Sequence, residues 1–167
     1  MLDTGFPRAD VENDFLRARR GHFLTALAHR LRRGRGDGDR LLRLDDVVSA
    51  PCWRGQRQLG LQTVQLETIV GTAGSRRDFD RRFRPTSARV RFRWEGLALA
   101  IRRGAAIPPI EVYRVGHQHF VADGHHRVSV AAATRQGLID AYVTQVRTAA
   151  PPRPTDVLCP PAPMPAA

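Results

Sequence analysis

Apolar residues recur at helical spacing at Leu16, Phe23, Leu27 and Leu31, and Arg17, Arg20, Arg30, Arg32 and Arg33 fill the positions between them. This pattern predicts an amphipathic helix from Asp10 or Asn13 to about Arg33, with residues 1–10 frayed. Gly34-Arg35-Gly36-Asp37-Gly38 breaks it. The expected arrangement docks its apolar stripe on its own domain and leaves the arginines in water. A second short helix is expected at Leu41 to Ala50, stopped by Pro51. Cys52 to Leu61 reads as a loop around Trp53. Val64 to Val70 reads as a strand, entering a turn at Gly71-Thr72-Ala73-Gly74.

The second half of the chain carries clearer periodicity. Val90, Trp94, Leu97 and Ile101 share one helical face, so a helix is predicted over Ser87 to Arg103, with Trp94 in the core and Gly104 at its end. Ile110 to Val115 and His119 to Ala122 read as two strands around a hairpin turn at Gly116-His117. A helix from His125 to about Gln136 follows, with Gly137 placed for a left-handed cap. Leu138 to Val146 alternates as a last strand. From Ala149 onward seven prolines in a Pro/Ala-rich run predict a disordered tail. No internal repeat is visible.

Composition narrows the classes. A length of 167 residues suits one domain with extensions. The net charge is +11, and no lysine contributes to it. Residues 76–103 hold ten arginines against three acids, a net +7 in one segment. Arginine suits bidentate phosphate contact, so a polyanionic partner is one reading. A GC-rich gene, which favours Arg, Ala, Gly and Pro codons together, is the other. Phe79, Phe83, Phe92 and Trp94 interleave with these arginines and could stack bases, though Phe79 and Phe83 also suit packing a loop down. Cys52 and Cys159 lack metal-like spacing and fit a reducing cytosol without a disulfide framework. Met1 to Asp14 has no apolar core for a signal peptide, and no run approaches a membrane span. The expected location is cytoplasmic, with nucleoid association an option.

Candidate chemistry concentrates at Val121-Ala122-Asp123-Gly124-His125-His126-Arg127. A strand passing through Gly into a helix points the first backbone N–H groups outward, where they attract anions. Gly124 permits the sharp turn. Asp123 has the chemistry of an N-cap. His126 and Val130 share a helical face, as do Arg127 and Ala131, so Arg127 can reach a phosphate or carboxylate while the Ala-rich side packs on a sheet. The chain has no GxxxxGK[ST] loop and no GxGxxG after a strand. His117 and His119 alternate along a strand and lie near Asp123, His125 and His126 in sequence. His117, however, falls in the hairpin turn, and no metal is expected.

Asp123-Gly124-His125-His126-Arg127, preceded by Ile107-Pro108-Pro109-Ile110-Glu111-Val112-Tyr113, resembles the N-terminal domain of ParB-type proteins in the ParB/sulfiredoxin superfamily. The resemblance covers roughly Val64 to Val146. It implies an α+β fold with a small mixed β-sheet and helices, here with an N-terminal helical extension (1–62), the ParB/sulfiredoxin-like domain (63–147) and a tail (148–167). It implies a nucleotide, CTP or ATP with Mg²⁺, whose phosphates meet the amides of His125 and His126 and the side chain of Arg127. Arg76 and Arg77, with Arg81 and Arg82, are second-rank phosphate or nucleic-acid contacts. Nucleic acid is the implied partner, bound without sequence preference, and a homodimer is an option. A CTPase-like NTPase, a nuclease and a non-enzymatic adaptor are the alternatives. Sulfiredoxin's catalytic cysteine corresponds to His125, so sulfinic-acid reduction is not implied. The acidic residue that related serine kinases use after the first strand has no counterpart in Gly71 to Gly74.

Overall fold

The computed structural model describes residues 4–33, 40–48 and 52–149, with the side chains of 29–33 excepted. The chain is α+β. Helix α1 (Pro7–Arg33) leads to β1 (Leu42–Arg43), α2 (Leu44–Val47) and β2 (Trp53–Gln65). A 3₁₀ turn (Leu66–Thr68) connects to β3 (Ile69–Thr72). A second 3₁₀ turn (Ala88–Val90), capped by Ser87, runs into α3 (Arg91–Arg102). Then come β4 (Ile110–Val115), β5 (Gln118–Asp123), α4 (His125–Ala133) and β6 (Leu138–Thr148). Most of the Pro/Ala-rich tail expected from 148 onward lies outside the described residues.

Six strands form one mixed sheet in the order β1-β3-β5-β4-β6-β2. The pairs β1–β3, β3–β5 and β4–β6 are parallel, and β5–β4 and β6–β2 are antiparallel. Side chains alternate across a sheet, so neighbouring residues serve opposite faces. Val112, Val121, Ala141 and Val143 join Val11, Phe15, Trp94, Val128 and Val130 in the main core, on the face covered by α1, α3 and α4. Val115, Phe120 and Val146 point the other way and pack with Leu44 and Val48 of the α2 region. Trp94 is fully buried. Its Nε1 donates to Ser129 Oγ at 2.9 Å, and its ring meets Phe15 edge-on at 5.5 Å. One side chain thus joins three helices.

Several sequence expectations are corrected. The expected loop at Cys52 to Leu61 is most of β2, a 13-residue strand. Much of β2 is exposed, so its order comes from pairing with β6, Trp53 against Thr148 through Gln65 against Leu138. It also straddles the expected boundary at 62/63, and Val11 and Phe15 of α1 belong to the main core. Residues 1–62 are therefore not a separate extension. The helix expected at Leu41 to Ala50 is reduced to β1 and one turn of α2. Gly71 lies inside β3, not in a turn. A Cβ there would strike the Leu42 carbonyl and come within 2.8 Å of the Phe120 ring, so only Gly lets β1 pair this closely. Arg135 (φ 58), not Gly137, takes the left-handed position after α4. Cys52 is buried and disulfide-bonded, where a thiol was expected.

The face of α1 also differs from its periodicity. Val11 and Phe15 are buried, whereas Phe23, Leu24 and Leu27 are exposed. At that level His22 and Thr25 face the protein, bonded to Asp80 and Arg84. Polar contacts fix the rotation of the helix there, and the apolar side turns outward. Among the described residues no helix is long and apolar enough to cross a membrane.

Candidate functional site

β3 and β5 are parallel neighbours, so their carboxyl ends meet at one edge of the sheet. In open α/β arrangements that edge is where ligands lodge. The loop after Thr72 and the N-terminus of α4 both start there. Gly124 makes the turn at φ 103, and Val128 N closes the first helical bond onto Gly124 O at 3.0 Å. The amides of His125, His126 and Arg127 precede that bond and have no intrahelical acceptor. Gly124 is itself the N-cap, without a side-chain bond. Asp123, read as the cap from sequence, ends β5 and pairs with Arg127 instead.

His125 is buried and hydrogen-bonded through Nε2 to Thr72 Oγ1 at 2.8 Å. Thr72 Oγ1 also accepts from Gly74 N at 3.1 Å, so one hydroxyl ties helix, strand and loop together. Phe79 stacks near the His125 ring at 6.4 Å and meets the His126 ring edge-on at 5.2 Å. Phe83 closes the His125 side. The two phenylalanines pack their loop down, and what they pack against is the histidine pair. Burial pushes the His125 imidazole down to about 4, and the Arg76 charge adds to the effect. His126 is lowered by burial and then by Arg93, and its Nε2 is buried without a partner.

His119 is a structural histidine. Thr68 Oγ1 donates to Gln65 O at 2.6 Å, so it is the Nδ1–H of His119 that donates to Thr68 at 2.9 Å. Burial and Arg114 hold His119 down to about 4. His117 lies exposed in the hairpin turn. Among the described residues no three His, Cys, Asp or Glu side chains gather as a metal site.

These neutral imidazoles set a pH dependence. Each is uncharged in the fold at neutral pH but protonates in the unfolded chain near the ordinary value of 6.5. Their stabilising contribution is complete above that value and is lost as pH falls toward 4. At about 1.4 kcal/mol per pKa unit, each withdraws roughly 3 kcal/mol by the acid end. Urea unfolding midpoints measured between about pH 7 and pH 4 are expected to fall, and less so in His125→Gln. Equal slopes in the two proteins would contradict the buried, neutral His125.

Arg127 is a strap. Its Nη1 donates to the carbonyls of Pro108 at 2.9 Å and Pro109 at 2.5 Å, and its Nη2 to the Asp123 carboxylate. It ties α4 to the connection entering β4, and these donors are engaged within the protein. Arg76 and Arg93 are placed differently. Both are exposed, and their charges reach His126 from the β3 loop and from α3. Neither forms an ion pair among the described residues. Asp78 and Asp123 are the carboxylates whose charges reach the same two histidines. Arg77 and Arg81 are exposed, while Arg82 lines a cavity beside the far end of α4. Arg93, Thr72 and Phe79 carry no sequence signal that places them at the motif; from sequence Phe79 reads only as a base-stacking or loop-packing residue and Thr72 as part of a turn. They come from separate segments, and only the sheet and α3 bring them to the motif.

No family model, no curated protein and no solved structure matches the chain.

Proposed function

We propose that the chain is a nucleotide-binding module that takes the phosphates of CTP or ATP at the N-terminus of α4, with DNA as its working context in the cytoplasm or on the nucleoid. The observation that carries this reading is the N-terminus of α4, where the amides of His125 to Arg127 have no intrahelical acceptor beside the carboxyl ends of two parallel strands. Arg76 and Arg93, both exposed and without ion pairs among the described residues, add charge that reaches His126 in that turn. Backbone amides and two guanidinium groups suit a phosphate chain. The resemblance to ParB-type domains supports the nucleotide as the source of that phosphate. Gly124 and the amides of His125 to Arg127 form the cradle. Arg76 and Arg93 supply the side-chain charge, and Arg77 lies next in sequence to Arg76. Arg127 joins only by exchanging Asp123 for the ligand. Mg²⁺ enters as the counter-ion of the nucleotide.

The arginines of residues 76–103 divide into two groups. Arg84, Arg91 and Arg102 pair with acids of the fold. Arg76, Arg77, Arg81, Arg82, Arg89, Arg93 and Arg103 are exposed. The second group supports non-specific, salt-sensitive association with nucleic acid.

Thermal melting with CTP, ATP, GTP and UTP, each with Mg²⁺, tests the module. A ligand that binds only the folded state stabilises it by RT ln(1 + [L]/Kd), about 2.7 kcal/mol at a hundredfold excess over Kd. One pyrimidine or purine triphosphate is expected to raise the melting temperature in wild type. Arg76→Ala and Arg93→Ala are each expected to weaken binding roughly 10- to 150-fold, from about 1.5–3 kcal/mol per charge-assisted contact. Undiminished binding in both variants would contradict the site. No shift with any nucleotide would leave the adaptor alternative.

A further inference from the structure

A second basic site lies at the opposite end of α4. A cavity of about 410 Å³ opens between α1, the turn at residues 80–84 and the C-terminal half of α4. Arg17, Arg82, Arg84 and Arg135 line it, coming from three separate segments. Ala18, Ala132 and Ala133 leave its floor open. Its single acid, Asp14, is already paired with Arg102 at 2.6 Å and Arg17 at 3.3 Å.

The arginines are held in readiness. Arg84 is fixed by Asp80 through Nε at 2.8 Å and by Thr25 through Nη1 at 3.0 Å. Its Nη2 is buried with no hydrogen-bond partner. Arg82 and Arg135 are exposed and form no ion pair among the described residues. Arg17 and Arg84 are paired with Asp14 and Asp80, so the uncompensated charge at the cavity comes from Arg82 and Arg135, which repel one another unless an anion joins them. The helix C-terminus opposes an anion through its dipole. Here that end is capped. Thr134, Arg135 and Gln136 amides satisfy the carbonyls of Val130, Ala132 and Ala131. The arginine charge therefore outweighs the remaining partial charges.

We propose that this cavity is a second anion site, built to receive phosphate groups and separate from the first turn of α4. Its size falls in the usual range for small-ligand sites, about 300–1,000 Å³. The phosphate has two possible sources, a free phosphate compound or the backbone of a nucleic-acid strand. The proposal stands independently of the nucleotide reading, because it uses none of Arg76, Arg93 or the α4 amides.

The test uses the full chain, its Arg82→Gln/Arg135→Asn double variant and its Arg76→Ala/Arg93→Ala double variant. Asn suits the left-handed backbone at 135. Pyrophosphate and a random single-stranded oligonucleotide are the two probes, followed by calorimetry at low salt. Wild type is expected to bind at least one probe. The Arg82/Arg135 variant is expected to lose about tenfold in affinity per arginine removed. The Arg76/Arg93 variant is expected to retain the calorimetric component that the Arg82/Arg135 variant loses. Loss with the oligonucleotide alone assigns the cavity to a strand backbone, and loss with pyrophosphate assigns it to free phosphate compounds. Wild-type affinity for both probes in the folded Arg82/Arg135 variant, or no binding by wild type, would overturn the proposal.

Discussion

Replacing Asp80 by Ala is expected to cost about 3–5 kcal/mol, because it strips a buried charge from the groups that depend on it. Asp80 is 1% exposed. Its Oδ1 accepts from the amides of Arg82 and Arg84, both at 2.9 Å. Its Oδ2 accepts from Arg84 Nε at 2.8 Å and from His22 Nδ1 at 3.0 Å. The backbone adds Asp80 N to Arg84 O at 3.0 Å and Phe83 N to Asp80 O at 2.8 Å. This net holds Phe83 at φ 56, a conformation that costs a bulky residue energy. Without the carboxylate, two amides and a guanidinium lose their acceptor, and α1 loses its anchor at His22. Phe83 and Phe79 wall the histidine pair, so the damage is expected to reach the candidate site. Urea denaturation measures it. A loss below about 1 kcal/mol would show that the net is not what orders residues 78–84.

Gly124→Ala is expected to destabilise by about 2–4 kcal/mol and to abolish measurable nucleotide affinity at the same time. The position has φ 103, where an L side chain is strained. A Cβ there would stand 2.5 Å from Ile110 Cγ2 and 2.9 Å from Ile110 Cβ. Ile110 is fully buried at the start of β4 and cannot retreat. The turn must open, and the amides of His125 to Arg127 then lose their common direction. Val, branched at Cβ, is expected to be worse than Ala. A folded Gly124→Ala protein with wild-type stability would contradict the close approach. One with lowered stability and intact affinity would contradict the cradle.

The strand–Gly–helix element was legible because its signals are local. Apolar alternation, a glycine and an Ala-rich helical run lie within about twenty residues. The face of α3 was legible for the same reason, and Trp94 is in the core as its spacing predicts. Strand β2 was not legible. Arg54, Gln56, Arg57 and Gln58 show no apolar alternation, and the strand exists because β6 offers a partner far along the chain, from Trp53 against Thr148 to Gln65 against Leu138. The rotation of α1 was misread because His22 and Thr25 find polar partners near residue 80, a tertiary effect that periodicity cannot contain.

The geometry of the candidate site was half legible. Its location follows from the Asp123 to Arg127 motif, but the roles within it do not. Arg127 sits at helical spacing from Asp123, so their ion pair could have been anticipated. Its bonds to the Pro108 and Pro109 carbonyls could not, since they depend on how β4 enters the sheet. Arg93 carries no local mark that separates it from its neighbouring arginines. It becomes a candidate only when α3 is laid beside α4.

The most direct test of the nucleotide module is a ¹H–¹⁵N correlation spectrum recorded while CTP or ATP with Mg²⁺ is added. The account predicts that the amides of His125, His126 and Arg127 shift first and most, together with the Arg76 and Arg93 side-chain resonances. Shifts centred elsewhere on the chain, or none with either nucleotide, would contradict it.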